Sequence, residues 1–101
     1  MKTIDLKSLL AQKSYPEAGN FIFNDIKDSI INQDKIILDM RDVLSVPTMF
    51  LNTSFVAIIE EFGTEKLKEC IGFKNITKSQ VERIQKYLID FNQVIKNNLN
   101  N

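Results

Sequence analysis

The fold is decided by residues 35–63, which read KIILDMRDVLSVPTMFLNTSFVAIIEEFG. The first six residues form a short, mostly apolar run, KIILDM, which is typical of a central strand buried on both faces of a sheet. Residues 41–47 are predicted to form a loop, because they end in a proline, which cannot donate to a sheet and disfavours helix before it. Apolar residues at helical spacing then predict a helix that Thr48 caps and Gly63 ends.

Outward from this stretch, strands and helices alternate along the chain. Two capping boxes, which begin at Ser14 and Thr77, mark helix starts. The predicted elements are a strand at 2–6, a helix at about 17–32, a strand at 67–73 and a helix at about 78–97, with residues 7–13 left as a connection. The order β-α-β-α-β-α predicts one α/β domain over residues 1–97 with a largely parallel sheet, followed by a frayed tail at 98–101.

Composition and charge restrict the function classes. The 101 residues suffice for one domain, and 44% of them are apolar, as in an ordinary globular protein. The 13 basic and 13 acidic residues cancel, so the basic surplus of a nucleic-acid binder is missing. The sequence has neither an apolar run of the ~20 residues that span a bilayer nor the apolar core of a signal peptide. We therefore expect a cytoplasmic protein that binds neither nucleic acid nor membrane.

The residues that most catalytic sites need are missing from the sequence. The chain has no histidine, which removes the commonest general base and metal ligand. Its three glycines are scattered, so they form no phosphate-binding loop. Its one cysteine, Cys70, lies in the predicted strand at 67–73 and is expected to be a buried structural thiol. We expect no enzyme activity, no catalytic residue, no metal site and no cofactor.

Asp39 and Asp42 are the only carboxylates that suggest a ligand site. Asp39 ends the predicted central strand and Asp42 lies in the following loop, at the edge where α/β sheets bind ligands. In the simpler interpretation, Asp39 caps amides of the loop and Asp42 lies in solvent. That interpretation is favoured because a magnesium site needs more oxygen ligands than this segment offers.

The central stretch also carries a resemblance to a known family. A strand that ends in Asp, residues 36–39, is followed by a loop with Val43 and Val46 and then by a helix that opens with Thr48 and continues as Phe-Leu-Asn at 50–52. In this order the chain resembles STAS-like domains. It is closer to the bacterial STAS-like domain of unknown function than to the anti-sigma factor antagonists, and the likeness extends over most of the chain.

The resemblance implies a mixed, mainly parallel sheet with helices mostly on one face, and a regulatory role through protein contact. In anti-sigma factor antagonists, a partner kinase phosphorylates a serine or threonine at the start of this helix, which breaks the complex. Met49 stands where the family's serine is usual, so Thr48 is the candidate acceptor, although its interpretation as a plain helix cap is favoured. The implied partner is a histidine-kinase-like ATPase. The candidate interaction surface consists of Val46, Pro47, Thr48, Met49 and Asn52.

Two other functions remain open. Small size and the missing catalytic set also suit a bacterial or phage inhibitor or an antitoxin-like accessory protein. A small-ligand sensor would instead use the edge at Asp39 and Asp42. Because the first and last strands are expected to leave exposed sheet edges, the chain is expected to be a monomer or a weak homodimer.

Overall fold

The computed structural model describes the backbone of residues 1–99 and the side chains of residues 1–89. In chain order the elements are β1 Lys2–Asp5, α1 Leu6–Gln12, α2 Tyr15–Asn32, β2 Ile36–Asp39, α3 Thr48–Leu51, a π-helical turn Asn52–Val56, α4 Ala57–Phe62, α5 Thr64–Cys70, β3 Ile71–Lys74 and α6 Lys78–Leu99. Residues 48–62 form one continuous helix, because α3, the π-helical turn and α4 follow one another without a break. The predicted α/β fold is confirmed. Of the predicted frayed tail, residues 100 and 101 lie outside the described residues.

Within the described chain, the three strands form one parallel sheet in the order β1-β2-β3. The register aligns Ile4, Leu38 and Phe73 across the sheet, and the first two of these side chains are buried. Both crossovers, from β1 to β2 and from β2 to β3, run through helices, as parallel neighbours require. The carboxyl ends of all three strands therefore meet at one edge, which is where the candidate site lies.

The prediction that residues 35–40 are buried on both faces of the sheet was wrong. Successive side chains of a strand point to opposite faces, and in β2 only Ile36 and Leu38 are buried, whereas Ile37 and Asp39 are half-buried. An apolar run of this length does not distinguish the two cases when one isoleucine lies on a partly open face. The helices thus cover mainly one face of the sheet, as the family resemblance implies.

α2 begins at the predicted capping box. The Ser14 hydroxyl oxygen accepts a hydrogen bond from the Glu17 amide (3.3 Å) and donates one to Glu17 Oε1 (2.9 Å). The helix starts at Tyr15, slightly before the predicted position. Gly19 serves packing here, because a Cβ at this position would lie 1.7 Å from Thr53 Oγ1. The glycine lets the backbone of α2 approach the 48–62 helix closely.

The 48–62 helix differs from the prediction at its start. Pro47 is the N-cap and provides no side-chain capping bond, so Thr48 is the first helical residue and the prediction that it caps the helix was wrong. Proline fixes the extended backbone that the cap position needs, which explains why a threonine cap is not required. The helix ends at Gly63 (φ 93°), whose amide donates to the Ile59 carbonyl at 2.9 Å, and this part of the prediction is confirmed.

The predicted strand at 67–73 is half helix. α5 covers its first four residues, and β3 begins only at Ile71. Leu67 and Cys70 are both buried because they lie three residues apart on one face of α5. The strand was predicted from Leu67, Ile71 and Phe73, whose even spacing also fits one face of a strand. Cys70 is therefore a buried thiol, as predicted, but it ends a helix.

The connection at 7–13 is also helical in most of its length. α1 starts directly after β1, because the Asp5 carboxylate accepts hydrogen bonds from the amide (3.3 Å) and the hydroxyl (3.1 Å) of Ser8. Leu6 and Leu9 of α1 are buried, again three residues apart. Short helices of this kind have too little periodicity to be separated from loops by sequence alone.

α6 starts at the second predicted capping box. The Gln80 amide donates to Thr77 Oγ1 at 3.1 Å, and the Thr77 amide donates to Gln80 Oε1 at 3.0 Å. Ile84, in the predicted apolar stripe, is buried. The stripe positions Phe91 and Ile95 lie outside the described side chains. No described helix is long and apolar enough to cross a membrane.

Candidate functional site

The carboxyl end of β2 is organised by Asp39. Its Oδ1 accepts hydrogen bonds from the Asn75 side-chain amide at 2.9 Å and from the Arg41 backbone amide at 3.1 Å. These two bonds, together with the nearby charges of Lys74 and Arg41, hold the pKa of the Asp39 carboxyl below its usual value. Asn75 adopts a left-handed backbone (φ 57°) in the turn between β3 and α6, so Asp39 joins the loop after β2 to that turn.

Asp42 is not brought into a site with Asp39. It is exposed, has a left-handed backbone (φ 62°), and its side chain makes no hydrogen bond or ion pair with the part of the chain that the structure describes. Among the described residues, no three His, Cys, Asp or Glu side chains lie close enough together to hold a metal ion. The arrangement at this edge is that of a capped loop.

The loop between β2 and the 48–62 helix has two buried valines with exposed residues between them. Val43 and Val46 are buried, with 9% and 2% of their surface exposed, whereas Leu44 between them is 97% exposed. The placement of Val46 on the interaction surface was therefore wrong, because its side chain belongs to the core. Leu44 was missed, because nothing in the sequence distinguishes this apolar loop residue from the two valines on either side of it.

The start of the 48–62 helix presents the other candidate contact residues. Thr48 and Met49 are exposed, and Pro47 and Asn52 are half-buried. The Thr48 hydroxyl forms no hydrogen bond with the described residues, so its oxygen is accessible at the first position of the helix. A nucleophile needs a base that accepts its proton, and the Thr48 hydroxyl donates a hydrogen bond to none of the described side chains.

One face of α6 forms three hydrogen bonds with the loop after β2 and with the start of the 48–62 helix. The side-chain amide of Gln80 donates to the Val43 carbonyl at 2.6 Å, Arg83 Nη2 donates to the Val46 carbonyl at 3.1 Å, and the Tyr87 hydroxyl donates to Asn52 Oδ1. The three α6 residues are spaced by three and four positions, so they share a helix face with the buried Ile84. Sequence reasoning identified the apolar stripe of α6 but missed these polar neighbours, since helical spacing alone does not show what they contact.

The π-helical turn lies directly behind the contact residues. Thr53 Oγ1 donates to the Met49 carbonyl at 2.9 Å, and the buried Ser54 hydroxyl donates to the Phe50 carbonyl at 2.6 Å. Both are bonds from a hydroxyl side chain to the carbonyl four residues before it, which Ser and Thr commonly form inside helices. The sequence prediction of an uninterrupted α-helix did not include this turn.

Cys70 has no catalytic environment. Burial raises the pKa of its thiol, and the neighbouring Glu69 acts in the same direction. The thiol lines a cavity of about 260 Å³ between α2 and α5 together with Ile30, Gln33, Asp34, Lys66 and Glu69. A protonated, buried thiol is a poor nucleophile, which agrees with a structural role.

Comparison with known proteins gives one family match. Residues 18–81 match the model of the STAS-like domain of unknown function. The matched part runs from α2 through β2, the 48–62 helix and β3 to the first turn of α6, and so includes the loop and the capped strand end described above. No curated protein and no solved structure matches the chain.

Proposed function

The chain belongs to the family of STAS-like domains of unknown function, and from this membership we propose that it is a non-enzymatic regulatory module that works by binding another protein. The observation that carries the proposal is the exposed segment around the start of the 48–62 helix. Its contact residues, named here the loop surface, are Leu44, Pro47, Thr48, Met49 and Asn52.

The loop surface offers apolar contacts on a fixed backbone. Leu44 is almost fully exposed and Met49 is half-exposed (49%). Single exposed apolar side chains are common. Leu44 and Met49, however, lie on a segment whose Val43 and Val46 are anchored in the core. A surface that is ordered before binding loses little conformational entropy when a partner docks. These features suit a protein-binding role better than catalysis.

The family resemblance suggests the class of partner, and the position of Thr48 suggests how binding is regulated. By analogy with anti-sigma factor antagonists, the partner is a histidine-kinase-like ATPase. A phosphate on Thr48 would gain from the free amides at the helix start, but within an interface it would bring charge that must be desolvated. Phosphorylation of the exposed Thr48 hydroxyl would therefore release the partner.

Affinity capture of the tagged full chain from its native cells tests the proposal, with Thr48→Glu beside the wild type. Thr48→Glu places a negative charge in the first helical turn, where it favours the helix, so the fold should survive. Ser79→Glu is the matched control, because it puts the same charge at an exposed position in the first turn of α6. We expect one specific partner with the wild type and with Ser79→Glu, and at least tenfold less of it with Thr48→Glu.

The outcomes separate the competing functions. A partner retained equally by all three proteins would place the interface away from Thr48, and no specific partner with any of them would contradict a protein-binding module. An ATPase as the captured protein supports the regulatory role, whereas a toxin or a metabolic enzyme would support an inhibitor.

A further inference from the structure

α6 contacts the domain where the loop surface is built. Its three hydrogen bonds, from Gln80, Arg83 and Tyr87, all end on residues 43–52. Seven residues of helix separate the first bond from the last, a rise of about 10 Å. The bonds therefore extend along most of the loop and into the start of the helix.

The acceptors of these bonds depend on α6. The Val43 and Val46 carbonyls belong to a segment with no regular secondary structure, so no ladder or helix pairs them. Gln80 is only 8% exposed, so its bond to Val43 forms in a nearly dry environment. When α6 leaves, water replaces these donors, so each bond contributes only a modest net free energy to the docked arrangement. The docked helix therefore stabilises the conformation of the loop, in addition to the anchoring by the buried Val43 and Val46.

Over residues 78–89, whose side chains the structure describes, few apolar side chains of α6 are buried. Ile84 is the one buried apolar residue among them, and Val81, Tyr87 and Leu88 are half-buried. Elements with few buried apolar contacts open at the lowest free-energy cost. Residues 78–89 of α6 are therefore expected to open at a lower free-energy cost than the sheet and α2.

We propose that α6 is a strap that fixes the conformation of the loop surface, so that release of α6 loosens residues 43–52 and lowers the affinity for the partner. Only the docked state presents Leu44, Thr48 and Met49 in one arrangement, and the apparent affinity falls with the fraction of docked protein. The effect on affinity rests on the proposed function, whereas the coupling between α6 and the loop is a property of the free protein.

Hydrogen exchange on the free, full-length protein tests the coupling. Tyr87→Phe removes only the hydroxyl that bonds Asn52, and Arg83→Met removes the bond to the Val46 carbonyl. Lys86→Met is the matched control, because it removes a positive charge from an exposed position of the same helix. We expect exchange in peptides covering 43–52 to become roughly fivefold faster in Tyr87→Phe and Arg83→Met, as the loss of one hydrogen bond predicts, and to stay unchanged in Lys86→Met. In every variant, residues 43–52 should exchange through an opening of lower free energy than the opening that exposes β2.

Two results would overturn the strap. Faster exchange in α6 with unchanged exchange in 43–52 would show that the loop holds its conformation without α6. Exchange of α6 and residues 43–52 at the same opening free energy as β2 and α2 would show that α6 opens only with global unfolding. The capture experiment is independent, because a protein without a partner can still show the coupling, and a bound partner can persist if the coupling is absent.

Discussion

α2 and α6 are the two long helices of the domain, and they are attached to it in different ways. α2 docks through the core, where Ile22 and Ile26 are fully buried and Gly19 lets its backbone approach the 48–62 helix. The described side chains of α6 dock on residues 43–52 through three hydrogen bonds and the buried Ile84. A helix held by core packing shares the stability of the whole domain, whereas one held by a few polar contacts can open alone.

The same truncation in both helices gives the sharpest test of this difference. Ile26 is completely buried in α2, and Ile84 is 6% exposed in α6. We expect Ile26→Ala to lower the free energy of unfolding by about 4 kcal/mol and Ile84→Ala by about 2 kcal/mol, because the α6 site can collapse around the missing atoms. Urea unfolding of the two variants measures both values.

Native-state hydrogen exchange reports the local opening of single elements, which urea unfolding does not show. Ile84→Ala should accelerate exchange in α6 and the adjacent loop as well as in β2, because both the local and the global opening break the contacts of Ile84. Ile26→Ala should accelerate exchange in α2 and β2 and leave the local opening of α6 unchanged. Equal costs and equal exchange patterns for the two variants would remove the distinction between the helices.

Gly19 is the point where the docking of α2 is tightest. Gly19→Ala should cost about 3 kcal/mol, because the new Cβ would lie 1.7 Å from Thr53 Oγ1 and 2.8 Å from the Phe50 carbonyl oxygen, so the two helices must separate. In a helix without this contact, the same change would stabilise by about 0.5–1 kcal/mol. The direction of the change in thermal midpoint therefore decides between propensity and packing.

Asn20→Ala is the control for Gly19→Ala, since it introduces alanine at the next, exposed position of α2. Its midpoint should stay within about 2 °C of the wild type, as for most surface substitutions. A stable Gly19→Ala variant would mean that the 48–62 helix moves away at little cost, and α2 would then be no more firmly attached than α6.

The two helices also show how far sequence patterns reach. Both capping boxes were recognised, because a cap is a local arrangement of residues three apart, and both are present in the structure. The mode of docking was not predictable, because Gly19 reads as a weak helix residue until its neighbour Thr53 is known. Likewise, Gln80 serves the capping box of α6 and the Val43 carbonyl at once, and only the first role is local.

The errors in the candidate site have a similar physical origin. Val46 and Leu44 are both apolar loop residues, and only the tertiary structure decides that the first points inward and the second outward. Thr48 has the side chain of a good cap, but Pro47 already provides the backbone conformation, so the cap lies one residue earlier. Asp39 was assigned correctly to loop amides, since a carboxylate after a strand finds the next backbone amides in sequence.

The smallest expected effect concerns the turn that leads into α6, and it is a pH dependence. The pKa of Asp39 lies below its ordinary value of 3.8, chiefly because of the Asn75 amide and then the Arg41 amide. A carboxyl with a lowered folded-state pKa contributes stability in full above the ordinary value, and this contribution is lost as the pH falls through the lowered pKa. Asp39→Asn should therefore be less stable than the wild type at pH 7, with a difference that shrinks below about pH 4.

Asn75→Gly separates the side-chain bond from the backbone. Glycine accepts the left-handed conformation of residue 75 and removes only the amide that donates to Asp39. An NMR titration of the Asp39 carboxyl should show a higher pKa in Asn75→Gly than in the wild type, together with faster hydrogen exchange at the start of α6. An unchanged pKa would mean that the Arg41 amide alone fixes Asp39, and α6 would then be attached through its contacts with residues 43–52 without help from the turn that precedes it.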